Sequence, residues 1–174
     1  MNFIESISNY ILENITIEDL PNIGLIALSE NISCDSIMIL AGMNKIDNPF
    51  EIKEYFDNCI NELKLQLPSK FEAAQILTKY YLNEIVKNPN QAYDIMITLD
   101  NEVYKKISND DITKTFIGEE LKIESLYTWY REIQDWNDNG IILFYKDLSR
   151  YEQRIKFEEH LVIEALNTLK HYYK

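Results

Sequence analysis

Two histidines, two cysteines and scattered carboxylates are the groups in this 174-residue chain that could do chemistry. His160 and His171 lie eleven residues apart in one helical pattern. That separates them by about 16 Å at 1.5 Å per residue, too far for one ion. Neither belongs to a His-Glu-x-x-His or a Glu-x-x-His pattern, the spacings that place two ligands on one helix face. In Glu158-Glu159-His160 the three consecutive side chains point in different directions. No metal ligand is assigned.

Asp47, Glu51 and Lys53 have the acid and Glu-x-Lys spacing of metal-dependent nucleases. That chemistry needs Glu and Lys on one side of a strand. Asn48-Pro49 instead starts a helix, which sends Glu51 and Lys53 apart. There is no Gly-x-Ser-x-Gly elbow, and neither cysteine has a histidine nearby in sequence. The glycines (24, 42, 118 and 140) are too dispersed for a phosphate-cradling loop. No catalytic residue, cofactor-binding residue or cofactor is assigned, and an enzyme is the less favoured reading.

The unusual chemistry is aromatic. The segment Leu126–Trp136 puts Tyr127, Trp129, Tyr130 and Trp136 around nearly every side of one helix. A helix apolar all round is buried or covered by something else, and Trp, Tyr and Arg are the residues that anchor interfaces. Core packing with exposed tyrosine hydroxyls is the favoured explanation of this helix, and an interface is the competing one. Charge favours the interface: residues 94–138 carry eleven acids against five bases, whereas residues 139–174 carry five against six. Acids beside aromatics suit a basic protein partner, so Trp129, Asp135, Trp136 and Asp138 are taken as the candidate partner-binding residues.

Helices must position these groups. Only four glycines and four prolines punctuate the chain, which suits helices with short connections. The patterns predict an amphipathic helix over residues 2–13 and short helices around 22–30 and 35–41. Next comes a helix from Pro49 to Lys64 that buries Ile52, Tyr55, Phe56, Cys59, Ile60 and Leu63. The capping box Ser69-Lys-Phe-Glu72 opens a helix burying Phe71, Ala74, Leu77, Tyr81 and Ile85. Another is expected over 91–107, with Ile95, Met96, Leu99 and Val103 inward. Ser108–Asp111 should then cap a short helix that Gly118 stops, followed by a helix over 119–136. Asp138-Asn-Gly140 is a turn. Ile141–Tyr145 is either buried helix or an extended connector. The capping box Ser149–Glu152 starts a long last helix, with Ile155, Val162, Ala165, Leu166, Leu169 and Tyr173 on one face. The expectation is an all-α, single-domain helical bundle over 1–174, with about seven to nine helices and a possible short extended segment near 141–145. Ala41-Gly42 is expected to let one helix end closely against another.

The motifs Ala27-Leu-Ser29, Ser36-Ile-Met-Ile-Leu-Ala-Gly-Met43, Asn48–Phe56 and Glu62-Leu63 before Pro68 follow in order. In them, residues 26–85 resemble a widespread group of small uncharacterised bacterial helical proteins. That resemblance implies a helical fold and an accessory or immunity-type role. The group has no established activity, so it assigns no site residue.

A net charge of -12 and the lack of a basic cluster argue against direct nucleic-acid binding and against an anionic membrane surface. No apolar run approaches the roughly 20 residues of a spanning helix, and the N-terminus does not read as a signal peptide. With two cysteines only, a cytoplasmic protein is expected. The favoured function is an acidic protein-interaction module of the immunity type that neutralises a basic partner. The alternatives are a small enzyme or ligand-binding protein with a Tyr/Trp/carboxylate pocket, or a DNA mimic. Oligomeric state is left open.

Overall fold

The computed structural model describes residues 1–108 and 116–173. Among them are nine α-helices, three single 3-10 turns and no strand, in agreement with the all-α expectation. The helices are α1 (Phe3–Ile11), α2 (Leu20–Ser29), α3 (Asp35–Gly42), α4 (Pro49–Glu62), α5 (Lys70–Lys87), α6 (Ala92–Glu102), α7 (Ile117–Glu120), α8 (Glu124–Asn137) and α9 (Arg150–Tyr172). None of the described helices is long and apolar enough to cross a membrane. The chain divides into two compact units, residues 1–77 and 78–174, and the division falls inside α5.

In the first unit, Asn2 and Glu5 form a capping box that starts α1. The core gathers Phe3 and Ile7 from α1, Leu20, Ile23 and Ala27 from α2, and Ile37 and Leu40 from α3. Against them pack Ile52, Phe56, Cys59 and Ile60 of α4. Tyr10 meets Phe56 edge-on at 5.3 Å. The close helix contact depends on Gly24 rather than Gly42. A Cβ at Gly24 would lie 2.9 Å from the Ala41 backbone N, whereas one at Gly42 meets nothing within 4 Å. The end of α3 does approach closely, as expected, but through Ala41, and the glycine that the approach needs is Gly24 on α2.

α3 ends its first turn without a side-chain cap of its own. Glu62, at the end of α4, supplies one: its carboxylate accepts the Ser36 hydroxyl and the Ser36 N–H. The Ser36 hydroxyl, the Cys34 thiol and the backbone N–H groups of Ser36 and Asp35 hold Glu62 below the usual carboxylate range. Beneath it, burial pushes the Cys59 thiol up to about 12, and Cys34 is raised for the same first reason. Both cysteines are free thiols, and at neutral pH they are protonated and unreactive.

In the second unit α8 packs along α9. Several boundaries differ from expectation. α6 stops at Glu102, and a 3-10 turn at Tyr104–Lys106 follows. Gly118 lies inside α7 instead of ending a helix, while the expected cap at Ser108–Asp111 extends outside the described residues. The 119–136 pattern is two helices, separated at Lys122, which takes a left-handed φ of 59°. Thr168 donates to the Lys122 carbonyl and Tyr173 to the Leu121 carbonyl, so the end of α9 fastens this break.

The largest correction is the rotation of α9. Its buried stripe is Gln153, Phe157, Leu161, Ala165 and Thr168. Of the residues expected inward, Ile155 and Leu166 are exposed and Val162, Leu169 and Tyr173 are half-buried. Two apolar stripes compete on this helix. The buried one wins because its polar members, Gln153 and Thr168, hydrogen-bond to neighbouring backbone, a gain that a count of apolar residues misses.

Candidate interaction surface

α8 carries the aromatic residues into two separate settings. Trp129, half-buried, stacks on the His160 ring of α9 with centroids 3.7 Å apart and planes within 4°. Phe144, Tyr145 and Phe157 complete the cluster at 5.0–6.3 Å. The Tyr145 hydroxyl lies 2.7 Å from His160 Nε2. Trp129 is therefore packed against side chains of its own chain and left half-exposed.

Trp136 is similarly occupied. The Arg150 guanidinium sits 4.5 Å over its ring and that of Arg154 sits 5.6 Å away, while Arg150 also donates to the Trp136 carbonyl at 2.6 Å. Only three arginines occur in the chain, and two of them cover this indole. A planar guanidinium stacks where an ammonium would not. The acidic character read from residues 94–138 is thus offset at Trp136 by side chains that α9 brings back. Asp135 and Asp138 remain exposed.

Between α8 and α9 the backbone is an extended, irregular connector with no strand, and it includes the ambiguous 141–145 segment. Asp138-Asn139-Gly140 makes the expected turn. Asn139 adopts φ 56°, the Gly140 N–H reaches the Asp135 carbonyl at 2.7 Å, and a Cβ on Gly140 would sit 3.2 Å from that oxygen. Glu132, only 3% exposed, then accepts the N–H groups of Leu143 at 2.9 Å and Phe144 at 3.3 Å. Gln153 donates to the carbonyls of Tyr145 and Leu148, both at 3.0 Å. A segment without regular structure is thereby fixed from inside. It presents two large aliphatic side chains outward, Ile141 at 83% and Leu143 at 68% exposure, together with the exposed Asn139, Lys146 and Asp147.

Tyr81 and Tyr127 donate to carboxylates in a polar part of the second unit. Asp100 accepts the Tyr127 hydroxyl at 2.7 Å and pairs with Lys105 at 2.7 Å, and Tyr81 donates to Glu102. Burial first, then the carboxylate, pushes Tyr127 and Tyr81 far above the ordinary phenol range, and burial brings Tyr130 to about 12. Tyr127 and Tyr81 are hydrogen-bond donors at any physiological pH, a structural role. The cleft beside them, lined by Tyr104, Glu124, Tyr127 and Arg131 among others, holds about 210 Å³. That is smaller than the roughly 300–1,000 Å³ of ligand pockets. Among the described residues no three His, Cys, Asp or Glu side chains group as a metal ion requires. Glu51 is exposed on α4, and Lys53 pairs with Asp57.

Of the four residues named from sequence, Asp135 and Asp138 share one exposed end of α8 while Trp129 and Trp136 are engaged within the chain. Glu132, Ile141 and Leu143 went unnoticed. The exposed pair lay in a run whose conformation was ambiguous. No spacing rule marks Glu132, because its partners are backbone groups eleven and twelve residues on. No family model, curated protein or solved structure matches the chain.

Proposed function

We propose that the chain is an acidic protein-interaction module that binds a basic protein, as an immunity protein binds the toxin it neutralises. The observation that carries this reading is the pairing of Ile141 and Leu143, exposed on an anchored connector, with the exposed carboxylates Asp135 and Asp138. Leaving two large aliphatic side chains in water forgoes about 1.5–3 kcal/mol each, which a partner that covers them recovers. Because the Glu132 and Gln153 hydrogen bonds already order the backbone, little ordering entropy remains to oppose binding. The net charge of -12 steers a cationic partner towards the molecule, and the two aspartates give the encounter a local focus.

The test compares the tagged protein with I141S/L143S and D135K/D138K variants in capture from native cells at low and high salt. Titration with the purified captured protein follows. A basic protein should bind the parent and lose about tenfold or more in affinity to each variant. Its association rate should fall with salt in the parent and respond less in D135K/D138K. A captured protein that binds all three forms equally, or one that is acidic, would sink the proposal.

A further inference from the structure

We infer that the outward face of α9 is a self-association surface on which a second copy of this chain packs antiparallel. The rotation of α9 leaves Ile155, Ile163 and Leu166 exposed by 37%, 47% and 48%, with Val162 half-buried beside them. At spacings of three and four residues these fall on one side of the helix, opposite the buried stripe. An open groove of about 490 Å³ runs along this side, floored by Ile155, Val162 and Ile163 and edged by Pro89, Asn90, Glu158 and Glu159. Scattered surface leucines need no explanation, but Val162, Ile163 and Leu166 grouped on one helix face, with Ile155 set apart from them by Glu159, do.

The order of charges along the stripe names the occupant. Glu159 lies on the stripe before its apolar centre, and Lys170 lies on it after that centre; both are exposed. Each is about 8 Å along the axis from the midpoint between them, at 1.5 Å per residue. A two-fold axis through that midpoint, between Ile163 and Leu166, sets Ile163 against Leu166 of the partner subunit. It also sets Glu159 against Lys170 of the partner subunit, once at each end. Such a contact is self-complementary, as an isologous dimer requires. A parallel pairing would oppose glutamate to glutamate and lysine to lysine. A uniformly basic partner would meet Lys170 as a like charge. The intrachain pair of Glu159 with Lys156, at 2.7 Å, is exposed on both sides and opposes little to the exchange. This surface uses none of the residues assigned above to the basic partner.

A pair of single helices buries less than the roughly 1,200–2,000 Å² of stable complexes, so the dimer is expected to dissociate in the micromolar range. Sedimentation equilibrium of the full chain across that range, in low and high salt, tests it. The parent should approach twice the 20.6 kDa of the chain as concentration rises. Leu166→Glu should stay monomeric. Glu159→Lys and Lys170→Glu should each weaken association about tenfold or more, and the double reversal E159K/K170E should restore it. Circular dichroism and urea midpoints should match the parent, because the altered side chains are exposed. A parent that is monomeric throughout, or a dimer that L166E leaves intact, would overturn the surface. Single charge reversals without effect, or a double reversal without recovery, would overturn the antiparallel arrangement.

Discussion

Glu132 is where one residue has the most consequence for the candidate surface. A buried carboxylate must be hydrogen-bonded to remain in place, and this one takes its donors from the connector at Leu143 and Phe144. Hydrogen bonds to a charged group are worth about 1.5–3 kcal/mol each. Glu132→Ala, which removes the bonds to both Leu143 and Phe144, should lower stability in urea by about 3–6 kcal/mol on that scale. It should also make the Leu143 and Phe144 amides exchange rapidly with solvent. Glu132→Gln, which keeps an acceptor, should lose less than half as much. Slow exchange of both amides in the alanine variant would show that the carboxylate does not hold the connector. Asp135 and Asp138 were legible in the sequence as exposed charges because the aromatic helix and its terminal turn were. The half-buried settings of Trp129 and Trp136 were not legible, because the groups that stack on them, His160, Arg150 and Arg154, come from a helix that sequence proximity does not connect to them.

Elements show the same division. α4 was legible in its start and most of its inward face: Asn48 accepts the Phe50 N–H, Pro49 opens the helix, and Ile52, Phe56, Cys59 and Ile60 are inward, while Tyr55 and Leu63 are only half-buried and the helix ends at Glu62. Its signals are local, so they could be read locally. α3 is different, since its cap is supplied by Glu62 of α4, 26 residues from Ser36. Glu62 has a folded pKa held below its unfolded value near 4.5. Its contribution is therefore fully present above that unfolded value and is lost as pH falls through the folded one. Glu62→Gln should be less stable than the parent at pH 7. Its unfolding midpoint should also fall less steeply than the parent's when the pH is lowered below about 4.3. Parallel pH profiles for the two proteins would show that Glu62 does not cap α3. α9 was found, and its capping box at Ser149 and Glu152 with it, but not its rotation, which depended on what Gln153 and Thr168 could reach.

For the whole molecule, a charge of -12 implies self-repulsion in the folded state. Raising monovalent salt from about 0.01 M to about 0.15 M shortens the Debye length from about 30 Å to about 8 Å. The midpoint of thermal unfolding should rise by about 2–5 °C over that range, on the scale of a 1 kcal/mol change for a domain of this length. A midpoint that falls with salt would mean that ion pairs such as Arg154–Glu158 outweigh the repulsion. The sequence by itself determined the helical class, most helix starts and the acidity, because caps, periodicity and charge act within a few residues or add without regard to position. Tertiary structure alone decided which face of α9 is buried, that Glu62 caps α3, that Arg150 and Arg154 cover Trp136, and that Ile141 and Leu143 stand exposed on a fixed connector. Each of those depends on groups far apart in the chain meeting at hydrogen-bond or stacking distance, and no local pattern of residue types encodes that meeting.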